Sequence, residues 1–207
     1  MYNSNSIYST EHFEQRSSGN LQSPSYSART HNQPQEPTYT DFNKPRYSGA
    51  FNTFFSLKCH GKKAAIELKP SLTRSSEWET VMIEAAISVG TRQYNWAEKI
   101  SIQITKTELP HVISTFLGIK QAFEGKSHGV NANKGFSLAW QSRSDNSPMI
   151  LFVCVTEGGK PAMAVPVAGF DAMMLGHMAC VQYIRNFPGL TTDACIKSLE
   201  IMARHNI

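Results

Sequence analysis

The pattern of apolar and polar positions changes character near residue 50. From there on, apolar residues recur with a period of two, the mark of strands whose successive side chains face opposite sides of a sheet. The clearest case is Lys99–Thr105, where Ile100, Ile102 and Ile104 alternate with Lys99, Ser101, Gln103 and Thr105. This is a half-buried strand with a polar outer face. Upstream, Asn52–Cys59 sets Thr53, Phe55, Leu57 and Cys59 on one face, with Phe54 and Lys58 on the other. A turn at His60-Gly61 leads into 63–69, where Ala64, Ile66 and Leu68 point inward; Val81, Ile83, Ala85, Ile87 and Val89 form a third strand closed by Gly90. The period then lengthens. Leu109, Val112, Ile113, Phe116, Lys120 and Phe123 fall at helical spacing, with Thr107 as N-cap and Pro110 in the first turn, where its missing N–H costs nothing.

After a Gly- and Lys-containing loop over 125–133, the order repeats in outline. Phe136, Leu138 and Trp140 alternate as a strand, which assigns Trp140 to the core; Pro148–Thr156 is a nearly continuous apolar strand, and Ala162–Val167 follows the Glu157-Gly-Gly-Lys160 turn. A helix over Phe170–Phe187 ends at Pro188-Gly189, and another, Thr192–Arg204, carries Ile196, Leu199, Met202 and Ala203 on its apolar side. The 170–187 helix is apolar nearly all round (Met173, Met174, Leu175, Met178, Val181, Ile184), more than one buried face requires. An oligomer interface or a deeply buried helix accounts for the surplus.

Residues 1–48 read differently. They hold nine serines, and Met1, Ile7 and Leu21 are their only large aliphatic residues. Such a segment buries too little apolar surface to offset its ordering entropy and is expected to be disordered. Its scattered tyrosines (Tyr2, Tyr8, Tyr26, Tyr39, Tyr47) give it a sticky character. Glu11, Glu14 and Glu36 argue against an organelle transit peptide. The expected division is therefore a tail over 1–48, one α+β domain over 49–188 and a helical extension over 189–207.

Composition adds modest constraints. The 207-residue chain has a formal net charge of +4, which favours polyanionic partners without naming one. Cys59, Cys154, Cys180 and Cys195 show no framework spacing and read as buried, reduced thiols. No run is long enough to cross a bilayer, and no signal-peptide core opens the chain. No nucleophile-elbow, zinc-protease or phosphate-loop motif occurs, so the expectation is no enzyme, no cofactor, no metal and no small-molecule substrate. His177 and Cys180 stand three apart on a helix, but without a second ligand pair they read as core residues.

What remains is a binding surface. Arg92, Gln93, Tyr94 and Trp96 put two aromatics beside a cation, just ahead of Lys99. Lysines and aromatics on strand faces suit unpaired nucleic acid: every exposed base offers a π-face for stacking, and the lysines neutralise phosphates. For Phe54, a stacking platform and a subunit contact both stand open; for Trp96, an exposed ring and a core ring; Tyr94 is expected to be exposed.

Two short runs sharpen this. GKKAAI at 61–66 and RQYNWAEK at 92–99 resemble the KGKAAL-like strand start and RQYDW-like turn of the Whirly family of single-stranded DNA-binding proteins, in that order and at similar spacing. The resemblance covers about residues 50–188. It implies two antiparallel sheets of about four strands each, helices packed against them as a core between subunits, and a homotetramer that holds single-stranded DNA along its sheet edges with little sequence preference. The C-terminal helix is an addition to that pattern. By position, Lys62, Lys63, Gln93, Tyr94, Trp96 and Lys99 match the family motifs; with Phe54, Lys58 and Arg92 they form the expected nucleic-acid site. RNA is the alternative ligand, since RNA-annealing proteins share the fold, and a protein-interaction module is the alternative class. The acidic residues of the tail point to a cytoplasmic bacterial, plasmid or phage setting rather than an organelle.

Overall fold

The computed structural model describes residues 55–73, 76–142 and 147–205. The expected tail over 1–48 and Phe54 lie outside the described residues.

The alternating segments form the first antiparallel sheet: β1 (Leu57–His60), β2 (Ala64–Leu72), β3 (Glu79–Gly90), β4 (Gln93–Tyr94) and β5 (Ile100–Gln103). β2 and β3 pair with each other, β1 flanks β2, and the far edge of β3 is shared by β4 and β5. The alternation of 99–105 is realised in β5: Ile100 opposes Ala85, Ile102 opposes Ile83, and both isoleucines are buried together with Ile104. Between β4 and β5 the chain leaves the ladder in a short 3-10 turn, Trp96–Glu98, which the sequence pattern does not announce.

The first helix, α1 (Leu109–Phe116), is shorter than its spacing predicts, and its cap is not Thr107. Thr105 and Glu108 form a reciprocal capping box instead: the Glu108 N–H donates to Thr105 Oγ1 at 3.3 Å and the Thr105 N–H donates to Glu108 Oε2 at 3.0 Å. At the other end Gly118 takes φ +73°; the Ile119 N–H donates to the Ser114 carbonyl and the Gly118 N–H to that of Thr115. That left-handed glycine closes the helix in a Schellman arrangement. Lys120 and Phe123 therefore do not belong to α1, and the expected loop over 125–133 is mostly strand and hairpin.

The second antiparallel sheet follows in chain order: β6 (Ala122–His128), β7 (Lys134–Gln141), β8 (Ile150–Glu157) and β9 (Met163–Val167). β6 carries the residues that read as helix end and loop. Phe136 and Leu138, Leu151, Val153 and Val155, and Met163, Val165 and Val167 are its buried face. Trp140 packs on this core half-buried, and its indole N–H donates to the Thr115 carbonyl of α1 at 2.6 Å. α2 (Gly169–Arg185) and α3 (Thr192–Arg204) complete the chain, α3 capped by the Thr191 hydroxyl. The architecture is thus two antiparallel sheets, of five and four strands, with three helices, the last a C-terminal addition. No helix among the described residues is long and apolar enough to cross a membrane.

α2 buries Ala172, Leu175, Met178 and Ala179 within the chain. Its other side stays apolar and open: Phe170 is 69% exposed, and Met173, Met174 and Val181 are each more than a third exposed. Positions 170, 173, 174 and 181 follow helical spacing and form one stripe, and His177, expected in the core, is exposed among them.

Candidate nucleic-acid interface

The outer face of the first sheet, turned away from the buried isoleucines, is set by register. Lys58 opposes Glu67, Glu67 opposes Glu84, and Glu84 opposes Ser101, so one polar row crosses β1, β2, β3 and β5. Glu84 is 3% exposed and sits at the centre of a cluster. Lys99 Nζ donates to its Oε2 at 2.6 Å, Lys69 Nζ lies 3.0 Å from its Oε1, and Ser101 Oγ donates to Oε1 at 3.0 Å. Burial pushes the Glu84 carboxyl up, but the hydrogen bonds from Lys99 and Lys69 and the charge of Lys69 outweigh it and hold the group below its ordinary value. One carboxylate facing two lysines leaves residual positive charge on this face. Lys99 is thus on the expected surface, but much of its charge is spent within the protein.

Lys58 is engaged too, with Nζ 3.7 Å from Glu67 and 5.2 Å from the centroid of the Trp96 ring. Trp96 is half-buried, with a cation against its ring. Because Trp96 reaches Lys58 on the far strand, the 94–96 segment lies across the outer face. That placement accounts for the complete burial of Ala65 and Ala86, which share this face. Tyr94, expected to be exposed, is half-buried: its hydroxyl donates to the Gly61 carbonyl at 2.8 Å and its ring lies 5.4 Å from that of His60. The bond ties the β3–β4 hairpin to the β1–β2 turn.

Between those two turns opens a groove of about 830 Å³ lined by His60, Gly61, Lys62, Ser88, Gly90, Thr91, Arg92 and Tyr94. Arg92, in the hairpin turn with φ +56°, is exposed, as are Lys62, Lys63 and Gln93. Among the described residues Lys62, Lys63 and Arg92 have no acidic partner. The second sheet contrasts with this: Lys134 and Lys160 both sit on Glu157, at 3.5 and 2.8 Å, and Lys126 sits on Glu124 at 3.0 Å. The expected residues therefore fall into two groups. Lys62, Arg92 and Tyr94 converge on the groove with Lys63 and Gln93 beside it, whereas Lys58, Trp96 and Lys99 belong to the adjoining outer face, already paired. Three contributors went unremarked in the sequence reading: His60, two residues from Lys58 on the same strand face; Glu84, whose partners lie on other strands; and Ser88, at the bulge where β3 meets β4. Strand alternation alone places His60 beside Lys58.

Two antiparallel sheets with helices packed on them make this an α+β protein. The chain matches the family model described as Whirly transcription factor over residues 57–177, more than half its length. The chain belongs to the Whirly family. Its fold is similar to WHY1 from Arabidopsis thaliana, at a TM-score of 0.51 and 17% identity over 72% of this chain and 93% of that one. WHY3 from Arabidopsis thaliana matches at 0.48 and 16% identity over 74% of this chain and 98% of that one. The plant transcriptional regulator PBF-2 matches at 0.46 and 19% identity over 73% and 97%. At such identities the likeness speaks to fold alone. These neighbours are plant proteins and lend no support to a bacterial, plasmid or phage setting. No curated protein sequence matches this chain.

Proposed function

We propose that this Whirly-family protein is a non-enzymatic binder of single-stranded DNA with little sequence preference. The observation that carries the reading is the gathering of Lys62, Lys63 and Arg92, without acidic partners among the described residues, around the groove beside Tyr94 and His60. Phosphates are met by the free cations of the two turns, and an unpaired base stacks on the aromatic rim; a duplex, with its bases already stacked, gains only the ionic part. The family description as a transcription factor supports a nucleic-acid ligand. Sequence tolerance follows from the chemistry, because phosphate contacts and stacking on a ring carry no base identity. Coating or protecting strands exposed in replication, repair or transfer is the role that such binding suits.

The open stripe on α2 supports assembly into a homotetramer through this helix, since a contiguous apolar face is costly to leave in water. The test of the site is a double charge reversal. Lys62→Glu with Arg92→Glu removes two phosphate contacts, so affinity for a labelled single strand falls at least tenfold at moderate salt. The slope of log affinity against log salt flattens by about 1.4, at about 0.7 per single-strand contact. A double mutant that folds and binds as the wild type does would overturn the site.

A further inference from the structure

We propose that Cys180 and Cys195 form an oxidisable dithiol, reached by a small disulfide through the cleft beside α3, whose oxidation ties the C-terminal helix covalently to α2. The two sulfurs lie 3.9 Å apart, between the middle of α2 and the first turns of α3. Closing to the bond length of about 2.05 Å needs a sulfur shift of under about 2 Å, which side-chain rotation supplies without moving either helix far. Among the described residues no group of three ligating side chains surrounds them, so a metal does not account for the pairing.

Three features turn proximity into a site. Cys195 and Leu199 are the fully buried residues of α3, so this helix is held to the domain through a narrow contact that one covalent bond would dominate. Cys195 also lines an open cleft of about 310 Å³ together with Tyr183, Phe187, Leu190, Leu199 and Met202. The hydrogen bond between the sulfurs favours ionisation of Cys195, with burial opposing, and disfavours that of Cys180, to which burial adds. Cys195, which lines the cleft, is therefore the thiol that meets the small disulfide first.

The reaction is two thiol–disulfide exchanges. Cys195 loses its proton and its thiolate attacks one sulfur of the small disulfide, giving a mixed disulfide and releasing one thiolate. Cys180 loses its proton, attacks the Cys195 sulfur and releases the second thiolate. One small disulfide is reduced to two thiols, and the protein dithiol is oxidised by two electrons. Cys59, buried with its thiol pushed up to about 11 by that burial and by nearby Asp171, stays out of the exchange.

The test uses the full chain. The reduced protein is incubated with glutathione disulfide, free thiols are blocked with iodoacetamide, and peptides are mapped without reductant; Arg185 lies between the two cysteines and lets trypsin separate them. The expected product is an intramolecular Cys180–Cys195 link that forms equally in Cys154→Ser and disappears on reduction. Amide exchange of 192–204 should slow in the oxidised form. Full alkylation of Cys180 and Cys195 after oxidation, or links that join only Cys154 or separate chains, would overturn the proposal.

Discussion

Glu84 shows how much of this surface is decided one side chain at a time. A buried carboxylate held by two lysines and a serine organises the outer face, so Glu84→Gln is expected to destabilise the fold. The loss is about 1.5–3 kcal/mol, the range for hydrogen bonds to charged groups. The 3–5 kcal/mol of a fully buried pair is too much here, because Lys99 is 35% exposed. The sign of the pH effect follows from the lowered carboxyl: the folded state binds fewer protons than the unfolded one, so the stabilisation is present above the ordinary carboxylate range and is lost as pH falls through the folded value. Urea titrations on the acid side should show wild type losing stability more steeply than Glu84→Gln. Lys99→Glu belongs with this cluster rather than with the groove. It sets two carboxylates against each other and should lower the melting temperature by several degrees, at about 2–4 °C per kcal/mol for a domain of this size. Lys62→Glu, exposed and without an acidic partner among the described residues, should leave the melting temperature nearly unchanged. The faces of Lys58, Lys63 and Lys99 were legible from alternation. The partners of Lys58 and Lys99 were not, because the contacts of Lys58 with Glu67 and of Lys99 and Lys69 with Glu84 depend on which residues of β1, β2, β3 and β5 stand abreast, a register set by strand pairing across the sheet.

At the scale of elements, two glycines set where α1 stops and how closely β6 packs. Gly118 ends α1 in the left-handed region, where a Cβ would meet nothing, so the cost of Gly118→Ala is conformational and of order 1–2 kcal/mol. Gly125 is the opposite case: a Cβ there would lie 2.2 Å from Phe136 Cε1 and 2.6 Å from Glu108 Oε1. Gly125→Ala should cost about 1–3 kcal/mol by overpacking and weaken the junction between β6 and the capping box of α1. Chemical denaturation of the two variants checks both figures. These glycines are also why 117–128 was misread. Phe116, Lys120 and Phe123 keep helical spacing across a residue that stops the helix, and β6 presents few apolar side chains, with a buried glycine where a core residue would ordinarily reveal a strand. Strands β2, β3, β5, β8 and β9 and helices α2 and α3 were legible because each buries a continuous apolar face in its own period.

For the whole molecule, the surplus apolar side of α2 was legible in the sequence, and among the described residues it stays exposed. Met174→Glu with Val181→Glu places two charges in the stripe without touching the buried residues Leu175, Met178 and Ala179. The expected result is a fall from an oligomeric to a monomeric mass in light scattering at micromolar concentration, with the circular dichroism spectrum retained. A wild-type chain that is already monomeric there would remove the tetramer from the account.

The most direct measurement is fluorescence anisotropy of one sequence, about 30 nucleotides long, presented as single-stranded DNA, duplex DNA and single-stranded RNA across a salt series. Stacking on an unpaired base adds about 1–3 kcal/mol per base, and each phosphate contact adds about 0.7 to the salt slope on a single strand. The account predicts tightest binding to single-stranded DNA, weaker binding to the duplex, and affinity that falls with salt. Tighter binding to RNA would transfer the groove to the alternative ligand. Absence of binding to all three at low salt would contradict the central claim and leave the surface to a protein partner.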